Sequence, residues 1–294
     1  MNNILITGAS GFIGSNLINT LIKEDGYTVT GLDIKKPLSK AEGYEFIEFD
    51  LGKEETYPDF KKNIDTVIHL AQSPLYRDFP NSAKSIFDIN VKSTAYLLEW
   101  CRKNKVKKFI FASTGNVYKT KDALLKEDDA ISPNSYYAAS KYASELFAKQ
   151  YSNYFSVIIL RIFGVYGPGQ KGMLIQNIID KIINNEQIFL AKNIGIKITP
   201  IYVSDCVHTI KNIINYNANN NIEVFNLGGH EILTLKGIAK KIADCFSKDC
   251  NLIITSDEPL YLCSNNNKII LKLGEINNHS FDMGLKKVIE YINA

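Results

Sequence analysis

Cysteine is scarce in the 294-residue chain: there are five, an odd number, at Cys101, Cys206, Cys245, Cys250 and Cys263, with no Cys-x-x-Cys pair. That spacing excludes a disulfide framework and a zinc ribbon, and no metal-binding residues are expected. An excess of one charge sign is missing too, since 34 Lys and Arg face 31 Asp and Glu for a net charge of +3. Nothing is set aside for nucleic acid, and the Lys103, Lys105, Lys107, Lys108 cluster reads as the solvated end of a helix before a strand. No apolar run is long enough to span a bilayer. The first residues already read as a buried strand rather than a leader, so the expectation is a soluble, cytoplasmic protein. Internal repeats are absent, and the asparagine runs at residues 217–221 and 265–267 read as loops. A chain of this length and 45% hydrophobic content can bury a substantial core.

What is present is concentrated at the start: Asn3-Ile4-Leu5-Ile6-Thr7-Gly8-Ala9-Ser10-Gly11-Phe12-Ile13-Gly14. Residues 4–6 form an apolar run that breaks at Gly8, and Phe12, Ile13, Leu17 and Leu21 then recur at helical spacing. In such a strand–turn–helix the first glycine allows the bend, Gly11 lets backbone amides approach a pyrophosphate, and Gly14 lets the helix lie close to the strand. The helix N-terminus offers unpaired N–H groups and a partial positive charge to the phosphates. A second strand, residues 27–32, ends at Asp33, about twenty residues beyond the last glycine, where a carboxylate meets the adenosine ribose hydroxyls. Gly8, Ser10, Gly11, Phe12, Ile13, Gly14 and Asp33 are therefore candidate dinucleotide-binding residues. An acid at this place repels a 2′-phosphate and favours NAD, while Lys35 and Lys36 leave NADP open.

Strands at residues 45–49, 66–70, 107–112 and 156–162 alternate with helices at 82–104 and 135–151, each strand running into a polar loop. This pattern predicts an α/β fold, a doubly wound parallel sheet of the Rossmann type with ligands at the carboxyl ends of the strands. Residues 1–163 are expected to form the dinucleotide-binding domain, the chain returning to it around 196–230. From Phe163 the pattern loosens into a glycine-rich loop, a helix at 173–184, a strand near Ile201, a helix from Asp205, a strand at 223–227 and a helix from Thr234. A final amphipathic helix spans 284–292. Residues 164–294 are expected to make a smaller lobe that covers the cofactor and selects the substrate.

Tyr137 and Lys141 stand four residues apart, on one face of the second predicted helix. A neighbouring cation favours the phenolate, so this spacing predicts a tyrosine lowered from about 10 toward neutrality and usable as a general acid or base. Ser113 and Thr114 lie at a strand tip, where a hydroxyl can hydrogen-bond the same substrate oxygen. His208 and His230 lack metal-ligand spacing and read as structural or surface residues.

These motifs, together with Asp50-Leu51, His69-Leu70-Ala71, Asn90-Val91, Ser113-Thr114-Gly115-Asn116-Val117-Tyr118 and the run from Leu160 to Gly169, resemble the extended short-chain dehydrogenase/reductases, the NAD-dependent epimerase/dehydratase group acting mostly on nucleotide sugars. The resemblance covers nearly the whole chain. It implies that Tyr137 is the catalytic acid/base, that Lys141 binds the nicotinamide ribose and tunes the tyrosine, and that Thr114 assists at the reacting carbon. It also implies that Asp50 and Leu51 contact adenine, that Leu70 and Ala71 line the dinucleotide, and that the protein is a homodimer paired through the Asn90 and Tyr137 helices. Ser73, Thr114, Asn116 and Gly164 are the candidate substrate contacts.

Departures narrow the activity. Family dehydratases carry acids directly after the threonine, where this chain has Gly115 and Asn116, which argues against a 4,6-dehydratase. Gly164 replaces an asparagine that touches the nucleotide diphosphate, and where the family has an arginine ahead of its Val-Asp-Asp motif this chain reads Ile198-Thr199-Pro200-Ile201-Tyr202-Val203-Ser204-Asp205; Lys171 or Lys197 are the substitutes at hand, the alternative being a substrate with no nucleotide. The expected activity is an NAD(P)-dependent nucleotide-sugar epimerase or 4-keto-sugar reductase. The alternative is a non-catalytic NAD(H)-binding sensor or scaffold, against which intact Thr114, Tyr137 and Lys141 weigh.

Overall fold

Apolar segments flanked by turn residues become the strands of a seven-stranded sheet. Its first six strands in chain order are β1 (Asn2–Thr7), β2 (Tyr27–Asp33), β3 (Glu45–Glu48), β4 (Thr66–His69), β5 (Lys108–Thr114) and β6 (Ser156–Ile162). The structure, a computed structural model, describes residues 2–37, 43–53, 56–60, 62–218, 220–276 and 278–294, so Asn219 of the 217–221 run lies outside the described residues. Across the sheet the order is Ile222–Leu227, β6, β5, β4, β1, β2, β3. The β1–β2, β1–β4, β2–β3 and β4–β5 pairs are all parallel. Strand order reverses between β1 and β4, the switch point at which a doubly wound sheet opens a crevice at its carboxyl edge.

Four helices of this part of the chain are α1 (Phe12–Leu21), α2 (Ala83–Phe87), α3 (Ser93–Lys103) and α4 (Tyr136–Gln150). Leu5, Val67, Phe109, Phe111, Val157 and Ile159 alternate along their strands and share one buried cluster with Leu97, Leu98 and Cys101 of α3 and Ala148 of α4. The helix expected over residues 82–104 contains a π-helical turn, Asp88–Lys92, between α2 and α3. Periodicity at 3.6 residues cannot register one inserted residue, and such turns gather at functional sites. Here it carries Asn90, which is 1% exposed. The Asn90 amide accepts from the Ser73 backbone N–H at 2.8 Å and donates to Ser140 Oγ at 2.9 Å.

By internal packing the chain divides into two units, the first comprising residues 1–119, 130–161 and 207–225, the second residues 120–129, 162–206 and 226–294. In the second, Ile188–Ala191 pairs in parallel with Leu252–Thr255, and Lys197–Ile198 lies between Leu233–Thr234 and Tyr261–Leu262. These short strands are too brief to announce themselves in sequence. Asn267 begins a helix, Asn267–Leu273, rather than ending a loop. Asn266 before it is buried: its amide donates to the Gly228 carbonyl at 2.8 Å and accepts from the Gly228 N–H at 3.1 Å and from Ser264 Oγ at 2.5 Å. A buried amide with both ends satisfied is a tertiary device that composition hides.

Lys108 also departs from a solvated reading. Its ammonium is half-buried and donates to the carbonyls of Ile213, Ile214 and Tyr216 at 2.6–3.2 Å. These are carbonyls at the end of helix Val203–Asn215 and just past it, where a cation meets the negative pole. Cys101, Cys206 and Cys263 are buried and Cys245 exposed. Among the described residues no helix is long and apolar enough to cross a membrane, and no group of three or more His, Cys, Asp and Glu is placed to hold a metal.

A very tight approach in the first unit is at Gly14, where an added Cβ would sit 2.2 Å from the Gly8 carbonyl oxygen. Neither backbone can yield without separating α1 from β1. Gly14→Ala is expected to destabilise the protein by at least about 2 kcal/mol, the upper part of the range for forced overpacking, read as a lower thermal midpoint. An unchanged midpoint would show that α1 shifts freely.

Candidate active site

The carboxyl ends of β1 to β5 and the loops after them carry the candidate residues of the first unit, except Tyr137 and Lys141, which lie on α4. After β1, Gly8 adopts φ +71°, and a Cβ there would lie 2.8 Å from the Ala71 nitrogen. Gly11 caps α1 with no side chain, leaving first-turn amides such as those of Phe12 and Ile13 to face outward. At the end of β2, Asp33 Oδ2 accepts from the Ser10 N–H at 3.0 Å and Oδ1 from the Lys35 N–H at 3.1 Å. Ser10 Oγ donates to the Lys35 carbonyl at 2.5 Å. The acid thus joins the glycine turn to the end of β2. Asp50 accepts from the Gly52 N–H at 2.9 Å, and Leu51 is buried. Leu70 donates its N–H to the Thr7 carbonyl at 3.1 Å, which ties the end of β4 to β1. A glycine turn that a Cβ would fill, an open helix N-terminus and a carboxylate at the next strand end fit a dinucleotide.

Ser73, expected at the substrate, is fully buried. Its Oγ meets Ser85 Oγ at 3.2 Å and accepts from the Leu75 N–H at 3.2 Å, so the hydroxyl shapes its own loop. The exposed neighbour, Gln72, accepts from the Tyr137 hydroxyl at 3.0 Å instead. Gly164 belongs to the second unit, where it is exposed at φ +65° and its carbonyl accepts from the Ile201 N–H at 3.1 Å. Lys197, in the same unit, is paired with Asp122 at 2.8 Å, while Lys171 is exposed. His208 and His230 are exposed.

Ser135 caps α4, accepting from the Ala138 N–H at 3.1 Å, and this starts the helix one residue before Tyr137. Thr114, at the end of β5, lies near enough to the Tyr137 phenol to oppose the rise in its pKa. Its Oγ1 is held in turn by the Asn116 backbone N–H at 3.2 Å and side-chain amide at 3.1 Å. Asn116 with Thr114, and Tyr137 with Gln72, therefore form two neighbouring polar pairs. Tyr76 packs on Tyr137 with ring centroids 4.8 Å apart, and the Arg77 guanidinium lies 5.0 Å over Tyr76.

The tyrosine does not titrate as its spacing predicts. Burial pushes the Tyr137 phenol above its ordinary value, Tyr76 adds to the rise, and only Thr114 and Arg77 oppose it. Lys141 is where the perturbation toward neutrality lies: burial lowers its ammonium to about 7, against a raising contribution from Glu145. The ammonium sits 4.3 Å over the Phe111 ring. A shared helical face brings two residues to one side, but desolvation by the surrounding rings outweighs that proximity.

Sequence reading missed the groups beneath Lys141. His69 is fully buried, with Nδ1 2.6 Å from Thr7 Oγ1 and Nε2 2.9 Å from Thr94 Oγ1. Burial, then Lys141, lowers it to about 3, so it is neutral at physiological pH. Glu145 and Arg161, 0% and 2% exposed, form a two-pronged ion pair: Arg161 Nε donates to Oε1 at 3.0 Å and Nη2 to Oε2 at 2.8 Å. Burial disfavours the arginine's charge, yet its hydrogen bonds and attraction to Glu145 hold it above its ordinary value. Ser113 Oγ donates to Glu145 Oε1 at 2.5 Å. The signal was available, since Glu145 follows Lys141 by one helical turn.

Comparison with known proteins agrees with this geometry. A dTDP-4-dehydro-6-deoxyglucose reductase of Escherichia coli is 31% identical, covering 100% of this chain and 98% of its own. An uncharacterized UDP-glucose epimerase of Bacillus subtilis, YtcB, is 29% identical over 85% of this chain and 84% of its own. The crystal structure of UDP-glucuronic acid 4-epimerase from Bacillus cereus, in complex with UDP-glucuronic acid and NAD, superposes with a TM-score of 0.88 at 26% identity, covering 99% of each chain. The model of the NAD-dependent epimerase/dehydratase family matches residues 4–228, and the chain belongs to that family.

Proposed function

We propose that the protein is an NAD-dependent enzyme of nucleotide-sugar metabolism, an epimerase or a 4-keto-sugar reductase, acting in both cases at one sugar carbon. The observation that carries this reading is the placement of the Tyr137 hydroxyl beside Thr114, one helical turn from Lys141 and on the same sheet edge as the glycine turn. Gly8, Gly11, Gly14, Asp33, Leu70, Ala71 and Lys141 would hold the dinucleotide, with Asp33 at the adenosine ribose. NAD, when bound, supplies hydride exchange with that carbon.

The protein's own residues handle the proton. Tyr137, held as the neutral phenol by burial, donates to a sugar carbonyl oxygen as it is reduced and recovers the proton from the hydroxyl in the reverse direction. Thr114, oriented by Asn116, hydrogen-bonds the same oxygen and fixes its distance from the phenol. Arg77 supplies positive potential that makes a transient phenolate tolerable. Gly115 and Asn116 offer no carboxylate beside Thr114, so water elimination has no base there. Relatives named as an epimerase and as a reductase support the two arms equally.

Tyr137→Phe is expected to retain NADH binding and to lose turnover by about 10²-fold or more, the usual contribution of a general acid. The assay offers the protein dTDP- and UDP-linked 4-keto-6-deoxy sugars with NADH, followed by absorbance, and UDP-sugars with NAD, followed by chromatography of the epimers. Retained turnover in the variant removes Tyr137 from the chemistry. No turnover by the wild type across both panels, with NADH still bound, favours the non-catalytic sensor.

Asp33→Ser is expected to narrow the preference for NADH over NADPH by about tenfold or more, roughly 1.4 kcal/mol, in the ratio of dissociation constants. An unchanged ratio would leave Asp33 only its bonds to Ser10 and Lys35.

Tyr96 of α3 and Leu146 and Phe147 of α4 are 38%, 43% and 43% exposed, apolar surface that fits pairing of two copies through these helices. Light scattering is expected to give a dimer mass, and Phe147→Glu a monomer. A monomeric wild type would rule the pairing out.

A further inference from the structure

Lys141 lies on α4 with its charge inside the protein, 2% exposed and over the Phe111 ring. The titratable or charged groups around it are Tyr137 and Glu145 of its own helix, His69 of β4, and Arg161 of β6 acting through Glu145. His69 is neutral and Arg161 is a cation, which leaves Glu145 as the one anion among them. Its carboxylate is also fully committed. Oε1 accepts from Ser113 Oγ and Arg161 Nε, Oε2 accepts from Arg161 Nη2, and so the anion is fixed in place rather than free to swing toward the lysine.

We propose that Glu145, locked by Arg161 and Ser113, is a positioning residue that keeps Lys141 cationic where it meets the dinucleotide, while its bond to Ser113 sets the end of β5 that carries Thr114. The inference rests on the functional reading above for the role of Lys141. A purely structural pair would need only to neutralise Arg161. This one sits a single turn from the lysine and hydrogen-bonds the residue immediately before the threonine, so the same carboxylate serves both arms of the site.

The sign follows from charge. Burial brings the lysine down to about 7 even with Glu145 raising it. Removing the anion lets Lys141 lose its proton at lower pH, so whatever requires the ammonium is lost earlier as pH rises. Glu145→Gln alone strands a buried cation at Arg161 and destabilises the fold; Glu145→Gln with Arg161→Gln removes both charges.

The experiment measures the NADH dissociation constant by fluorescence from pH 6 to pH 10, and kcat over the same range, for the wild type, both variants and Glu145→Asp, with folding checked by circular dichroism. The alkaline limb of NADH binding and of kcat is expected to move to lower pH by about one unit in the glutamine variants, the size of effect one nearby opposite charge exerts. Glu145→Asp, which keeps the charge, is expected to stay near the wild-type limb. A folded glutamine variant with an unmoved limb in NADH binding overturns the proposal. Wild-type protein that turns over no nucleotide sugar but keeps a pH-dependent NADH affinity overturns the functional reading instead, and the binding limb still decides the role of Glu145.

Discussion

Residues 4–6 of β1, 67–68 of β4 and 109–111 of β5 are all 0% exposed, so the middle of the sheet is covered on both faces. A parallel sheet buried in this way has no solvated surface along its strands, and polar chemistry is confined to their ends. That constraint explains why Gly8, Asp33, Gln72 and Thr114, at or just past the ends of four separate strands, belong to one edge. The closeness of α1 to β1 at Gly14 is part of the same arrangement: the helix must lie almost on the strand for its first-turn amides to face the crevice.

The second theme is charge placed where water is not. Taking Lys141, Glu145 and Arg161 into the interior costs several kcal/mol for each ion before any compensation. Two hydrogen bonds from Arg161 and one from Ser113 offset this for Glu145, and the Phe111 face offsets some of it for Lys141. Breaking such a pair by removing one partner typically costs about 3–5 kcal/mol, whereas replacing both is often neutral. Stability alone therefore does not require an ion pair here.

Much of the fold was legible because its signals are local. The glycine turn, the alternation of strands and helices and the four-residue spacing of Tyr137 and Lys141 each depend on neighbours in the chain. The π-turn at Asn90 was hidden because one extra residue barely alters helical periodicity. The two-residue strands of the second unit and the buried role of Asn266 were hidden because their partners are far away in sequence: Gly228 lies 38 residues from Asn266. Ser73 read as a polar loop residue open to substrate, yet contacts with Ser85 and Asn90 turn it inward and leave Gln72 outside.

The sequence by itself determined the dinucleotide turn, the strand–helix alternation and the Thr114, Tyr137 and Lys141 set, because backbone conformation and helical spacing are written in residues a few positions apart. Only the tertiary structure decided which of those groups titrates near neutrality. Desolvation depends on what surrounds a side chain from every direction, and the rings of Tyr76 and Phe111, the neutral His69 and the anion of Glu145 reach Tyr137 and Lys141 from three different elements and the loop after β4.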